Sequence, residues 1–185
     1  MSLSLQTILS SSYEGNTEKY ILELLLEQEA FKCERWQILD YGRIFKRSNT
    51  LHLYALENQY LPMDFGNSQL VVLLIQDDDS SPRISEHFLE KITGLLFVVT
   101  KPEIEMFMIH SLGLYEDFHW ARVQNHQLKP LQFVADHLGV STSRAKSKTF
   151  VLDFYKENAL VEAIHAHSMK ANRECNQYFL SDIIE

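Results

Sequence analysis

The clearest pattern along the chain is "QLVVLLIQ", Gln69 to Gln76, a continuous apolar run rich in β-branched residues. A short run of this kind fits a strand buried on both faces, as in a parallel sheet covered by helices. It stops at "DDDSSP", an abrupt switch to polar turn residues. Leu5 to Ser12 reads as a first strand, with more serine than a central strand usually carries. Glu34 to Phe45 reads as a second, and "LLFVVT", Leu95 to Thr100, as another short buried one. Helices are predicted between them. Asn16 to Ala30 presents a wide apolar face of Ile21, Leu22, Leu24, Leu25 and Leu26, and Glu18 suits the positive end of its dipole. Ile84 to Thr93 and Lys101 to about Gly113 read as two more, while the stretch from Ser48 to Phe65, with "LHLYAL", fits strand or helix. The remainder is mainly helical: "LQFVADHLG", then Ser143 to Tyr155, then Ala159 to Asn172. The alternation predicts an α/β fold, a mostly parallel central sheet with helices on both faces. No repeat or linker divides the chain, so one unit is expected over 1–185, with sheet and helices over 5–110 and a mainly helical completion over 111–185.

Charge narrows the function classes. With 17 basic and 25 acidic side chains the formal net charge is −8. That argues against broad, charge-driven binding of nucleic acid, and leaves room for a local basic patch or for a metal that inverts the field. Cys33 and Cys175 are far apart and belong to no metal or redox motif, so a reducing cytoplasm is expected. No leader and no apolar run of membrane length is visible, so no membrane partner is expected.

Ligands of open parallel sheets bind beyond the carboxyl ends of the strands. Three predicted strands lead into acids there: the first into Glu14, the second into Asp77-Asp78-Asp79, the third into Glu103 and Glu105. In an extended segment Asp77 and Asp79 share one side while Asp78 points away. Two carboxylates facing one point repel unless a cation neutralises them, and magnesium suits such a pair. A third carboxylate nearby holds a second ion or acts as a general base on water. Plainer readings exist for each element. "DDDSSP" also suits a simple turn, Glu14 a solvated loop, and Thr100-Lys101-Pro102-Glu103 a helix capping box. The last leaves Glu105, inside the predicted helix, as the better site candidate of its pair.

The order of these segments resembles a known family. "YEGNTEKYILELL" is similar to the opening of TOPRIM (topoisomerase–primase) domains, especially the small stand-alone bacterial members with an E-G-x-T-E signature, matched here by Glu14, Gly15, Thr17 and Glu18. "VVLLIQDDD" resembles the family's hydrophobic strand and D-x-D, which maps to Asp77 and Asp79. "TKPEIEMFMI" resembles the P-x-x-E-x-[WF] segment of stand-alone members and of proteins related to OLD-type defence nucleases, matched by Pro102, Glu105 and Phe107. The likeness spans Leu5 to Ile109. The residue between the two aspartates is itself Asp, so Asp78 competes for the ligand register, and the extra domains of topoisomerases and primases are lacking. The resemblance implies a Mg²⁺ (or Mn²⁺) site that handles phosphodiesters, with Asp77, Asp79 and Glu14 as metal ligands and Glu14 and Glu105 as the catalytic carboxylates. It equally admits a non-catalytic TOPRIM-like module that binds a partner, for instance an ATPase of a phage-defence or toxin–antitoxin system.

Two further features carry expectations. "STSRAKSK" brings Arg144, Lys146 and Lys148 together, either to meet substrate phosphates of a nucleic acid or as a solvated helix start capped by Ser and Thr. His165 and His167, at i and i+2 of a helix, point about 200° apart and are not expected to share a metal. Trp36 and Trp120 are expected in the core or an interface, and Thr149, Phe150, Leu152 and Phe154 in the core.

Overall fold

A computed structural model of the chain describes residues 7–13, 16–38, 44–46, 58, 61–64, 69–76, 85–100, 104–171 and 178–185. Its sheet is built around the apolar run. Gln69–Gln76 forms strand β3, bounded where the sequence predicts. Every residue from Leu70 to Ile75 is buried, so both faces of the strand are covered. Strand β1, Thr7–Tyr13, lies along one edge of β3, and β4, Ile92–Val99, along the other; β2, Ile44–Lys46, pairs with the far side of β1. The order is β2-β1-β3-β4 and all three pairings are parallel. The chain is thus α/β with a parallel sheet, and most of its other elements are helical.

Parallel neighbours need crossover connections. Helix α1, Asn16–Glu27, follows β1 and buries Ile21, Leu22 and Leu25. On β3, Val71, Leu73 and Ile75 join Leu96 and Val98 of β4 and this helix in one continuous core, while Leu70, Val72 and Leu74 are buried on the opposite face. The β3–β4 register slips between Leu70, which pairs with Ile92, and Val71, which pairs with Gly94. Thr93 is the extra residue of this bulge, and a glycine beside it fits the usual place of Gly in a strand.

The helices after β4 complete the core. Helix α3, Met106–Ser111, buries Met106 to Ile109 and packs mainly on α8, Leu160–Lys170. Helix α4, Tyr115–Gln124, and α5, Pro130–Leu138, follow α3, and α5 ends at Gly139 in the left-handed region (φ 65°), a conformation glycine adopts at little cost. The last residues are tied down by backbone bonds. Tyr178 donates its N–H to the Phe97 carbonyl at 3.0 Å, and Glu185 donates to Ala30 at 2.8 Å.

Several expectations are corrected. The second strand does not run from Glu34. Residues Arg35–Gln37 form a 3-10 turn, because the Glu34 N–H is taken by Gln37 Oε1 at 2.8 Å and the Gln37 N–H by the Glu34 carbonyl at 2.8 Å. The helix expected over Ile84 to Thr93 shrinks to α2, Glu86–Leu89, since Ile92 and Thr93 belong to β4. The helix expected from Ser143 to Tyr155 is two: α6, Thr142–Ala145, and α7, Lys148–Glu157. Ser147 breaks it by accepting the Phe150 N–H on its hydroxyl at 3.3 Å, a new N-cap. Within α7 Val151 and Tyr155 are fully buried, Phe150, Leu152 and Phe154 pack half-buried against the core, and only Thr149 of the expected core residues is exposed. Glu105 immediately precedes α3 rather than lying within it. Trp120 is 66 % exposed and therefore not a core residue. Most of the ambiguous stretch before β3, like Glu103 of the expected capping box, lies outside the described residues.

Two substitutions test this architecture. Leu22→Ala, at a fully buried position of α1, is expected to lower unfolding free energy in urea by about 2–5 kcal/mol. Trp120→Ala is expected to change it by less than about 0.5 kcal/mol.

Candidate functional site

The carboxyl ends of β1, β3 and β4 lie side by side. Tyr13, the last residue of β1, is the register partner of Ile75, and Gln76, the last of β3, is the partner of Val99, the last of β4. The chain leaves β1 for β2 on one side, and β3 and β4 lie on the other. The reversal in strand order therefore falls between β1 and β3, the place where open α/β sheets form a ligand crevice. Glu14, Asp77, Asp78 and Asp79, the residues that follow those strand ends in sequence, lie outside the described residues. Among the described residues no group of three or more His, Cys, Asp or Glu is close enough to hold a metal ion.

Glu105 is described, and its environment is specific. It follows β4 and is only 5 % exposed. Its Oε1 lies 3.2 Å from Nζ of Lys146, the residue in the break between α6 and α7. A buried carboxylate needs a partner, because desolvation otherwise penalises its charge. Tyr155 of α7 lies in the same region, and its Oη is buried. Burial holds this phenol well above the usual range against an opposing hydrogen bond with Ser111, and the charge of Glu105 adds to the rise, so it stays neutral.

Lys148, two residues on, is turned onto α1. Its Nζ lies 3.2 Å from Oε2 of Glu23 and 5.9 Å from the centre of the Tyr20 ring. Glu23 also meets Lys19 of its own helix at 3.5 Å. Two of the three basic residues proposed to meet phosphates are thus paired with carboxylates of the chain itself. Arg144 is exposed, and it lines a cavity of about 450 Å³ between α5, α6 and α7. The solvated, Ser-capped helix start is also observed, since Ser141 Oγ accepts the Arg144 N–H at 3.2 Å.

Sequence reasoning missed a second cluster, on α3, α4 and α8. The His110 ring stacks on Tyr115 at 4.9 Å and meets the edge of His167 at 5.4 Å, and His167 packs on Phe107 at 5.5 Å. Burial, then the neighbouring His167 and Lys170, push the His110 pKa down from 6.5 to about 4. These residues come from separate elements, so no spacing in the sequence links them. His165 diverges from His167 as expected: its Nε2 bonds the Glu185 carbonyl at 2.7 Å. A further concavity of about 410 Å³ lies beyond the end of α1, lined partly by Cys33 and Glu34. Burial and the Glu34 charge raise the Cys33 thiol to about 11, which leaves it inert at neutral pH.

No protein-family model, curated protein or solved structure matches this chain.

Two measurements test these interactions. Lys146→Met leaves the Glu105 carboxylate buried without its partner and is expected to cost about 1–3 kcal/mol in denaturant unfolding. The double variant with Glu105→Gln should recover part of that loss, and a double-mutant cycle without coupling would refute the pair. His110 binds a proton near pH 6.5 when unfolded but only near 4 when folded. Its contribution is therefore fully present above 6.5 and is lost as pH falls from 6.5 toward about 4. The Tm of His110→Phe should fall less steeply across that window than that of the parent.

Proposed function

We propose that the chain is a TOPRIM/Rossmann-like protein, with helices on both faces of its sheet, that cleaves phosphodiesters with a divalent metal at the crevice between β1 and β3. One observation carries this reading. β1 and β3 end side by side at the reversal in strand order, and the sequence continues with Glu14 beyond one and with Asp77-Asp78-Asp79 beyond the other. Asp77 and Asp79 are the metal ligands in this reading, with hard oxygen donors that suit Mg²⁺ or Mn²⁺. When bound, such an ion polarises a phosphate and lowers the pKa of an attacking water. Glu14 either shares the ion or takes the proton from that water. Glu105 has a different part. Its carboxylate is engaged by Lys146, so it acts as a positioning residue that holds an ammonium near the carboxyl end of the sheet.

A second reading is a non-catalytic module that docks on a partner protein such as an ATPase. The exposed apolar residues favour it. Trp120 and Val123 of α4 are 66 % and 51 % exposed, and Met169 of α8 is 80 % exposed.

Incubation with Mg²⁺ or Mn²⁺ and labelled single- and double-stranded DNA and RNA separates the two. Cleavage by the parent protein, reduced by about 10²-fold or more in both Glu14→Gln and Asp77→Asn, is the expected result. Cleavage untouched by either change would sink the site assignment. No cleavage under any condition would favour the docking module.

A further inference from the structure

The molecule has another concavity whose chemistry is opposite to that of the acidic strand ends. It is a cavity of about 110 Å³ between α4 (Tyr115–Gln124) and α8 (Leu160–Lys170). Met106, Phe118 and His167 form its floor, and each is buried. Its rim carries Arg122 and His119 from α4 and Lys170 from the last turn of α8. Among the described residues no carboxylate lines it. In a chain of net charge −8 this is a local inversion of sign.

The two cations are held at the rim by aromatic rings. Arg122 Cζ sits 5.8 Å from the centre of the Phe118 ring, and Lys170 Nζ sits 5.0 Å from that of Tyr115. Contacts of this kind fix the stem of a long side chain and leave its charged head toward water. Lys170 does meet one acid, Glu116, at 3.5 Å, with side chains 53 % and 73 % exposed. Such a surface pair is weak and screened, so an incoming anion displaces it readily.

We propose that this cavity binds a phosphate group. Its volume suits a single tetrahedral oxyanion rather than a whole nucleotide, which needs a pocket several times larger. A guanidinium offers a planar fork of donors and an ammonium a compact point charge, a pairing suited to a dianion. His119 at the rim adds a further polar contact. The phosphate has two sources, a free phosphomonoester or the backbone of a nucleic acid, and the cavity's chemistry is the same for both. The proposal stands whether or not the acids at the strand ends hold a metal. Met106 directly follows Glu105 in sequence, so the cavity and the carboxyl end of the sheet share the first turn of α3, Met106–Ser111.

Titration calorimetry on the full chain, without divalent metal, tests this. The probes are inorganic phosphate, a nucleoside monophosphate and a short oligothymidylate without terminal phosphates, with acetate as the control anion. Saturable binding is expected for phosphate or for the oligonucleotide, weakened about tenfold by Arg122→Gln and by Lys170→Gln and unchanged by Lys156→Gln, an exposed lysine outside the cavity. Binding of phosphate and the monophosphate alone identifies a monoester as ligand; binding of the oligonucleotide alone identifies the nucleic-acid backbone. Both rim residues are exposed, so the variants should fold, and their Tm checks that. No saturable binding of any phosphate probe, equal binding of acetate, or undiminished binding by the double variant would overturn the proposal.

Discussion

Burial of β3 on both faces is the constraint from which the rest of the architecture follows. A strand with no face toward water must satisfy its backbone groups on both edges, and here β1 and β4 do so along nearly its whole length. Both partners are parallel to it, so the chain must return to the starting end of the sheet between strands. The return after β1 carries α1, which packs in one core with Val71, Leu73 and Ile75. The returns also bring the carboxyl ends of β1, β3 and β4 to one level. In sequence the chain continues with Glu14 beyond the first of those ends and with the three aspartates beyond the second.

Electrostatics then decides which charges serve the fold. Glu105 is almost entirely buried and Lys146 half exposed, so the carboxylate is the partner that depends on the pair. The Lys148–Glu23 contact has the same length but joins two partly exposed groups and is correspondingly weaker. A basic cluster read from sequence alone looks like a surface for phosphates. In the folded chain it is largely consumed internally. Arg122 and Lys170, cations that face solvent beside a different cavity, come from elements where no run of basic residues marks them.

This contrast shows what was legible beforehand. β3 could be bounded to the residue because a strand buried on both faces needs no periodicity, only an apolar run and sharp ends. Helix α1 was legible because its wide apolar face is unbroken. The helix Tyr115–Gln124 was not legible as a separate element, since only Phe118 of it is fully buried and Trp120 and Val123 face outward, leaving no amphipathic signal. The start of β4 was hidden by Gly94 and by the bulge that this glycine accompanies. For the site, the order of the strand-end acids could be read from sequence because it is local. The Glu105–Lys146 pair and the His110–His167 contact could not, because each joins residues that only tertiary packing brings together.

The break between α6 and α7 shows how a single side chain couples the two parts of the chain. In one continuous helix, positions 146 and 148 would point about 200° apart, and no straight segment would direct one lysine to α1 and the other to Glu105 without regard to that angle. Lys146 still has helical backbone at the end of α6, and Ser147, extended and capping a new helix with its hydroxyl, breaks the register between Lys146 and Lys148. Lys146 then reaches the carboxylate that follows β4, and Lys148 reaches the helix that follows β1. The helical segment is thereby tied to both sides of the strand-order reversal. A serine that favours an N-cap over a helix interior is thus the local cause of a contact that joins the C-terminal helices to Glu105, the carboxylate that follows β4.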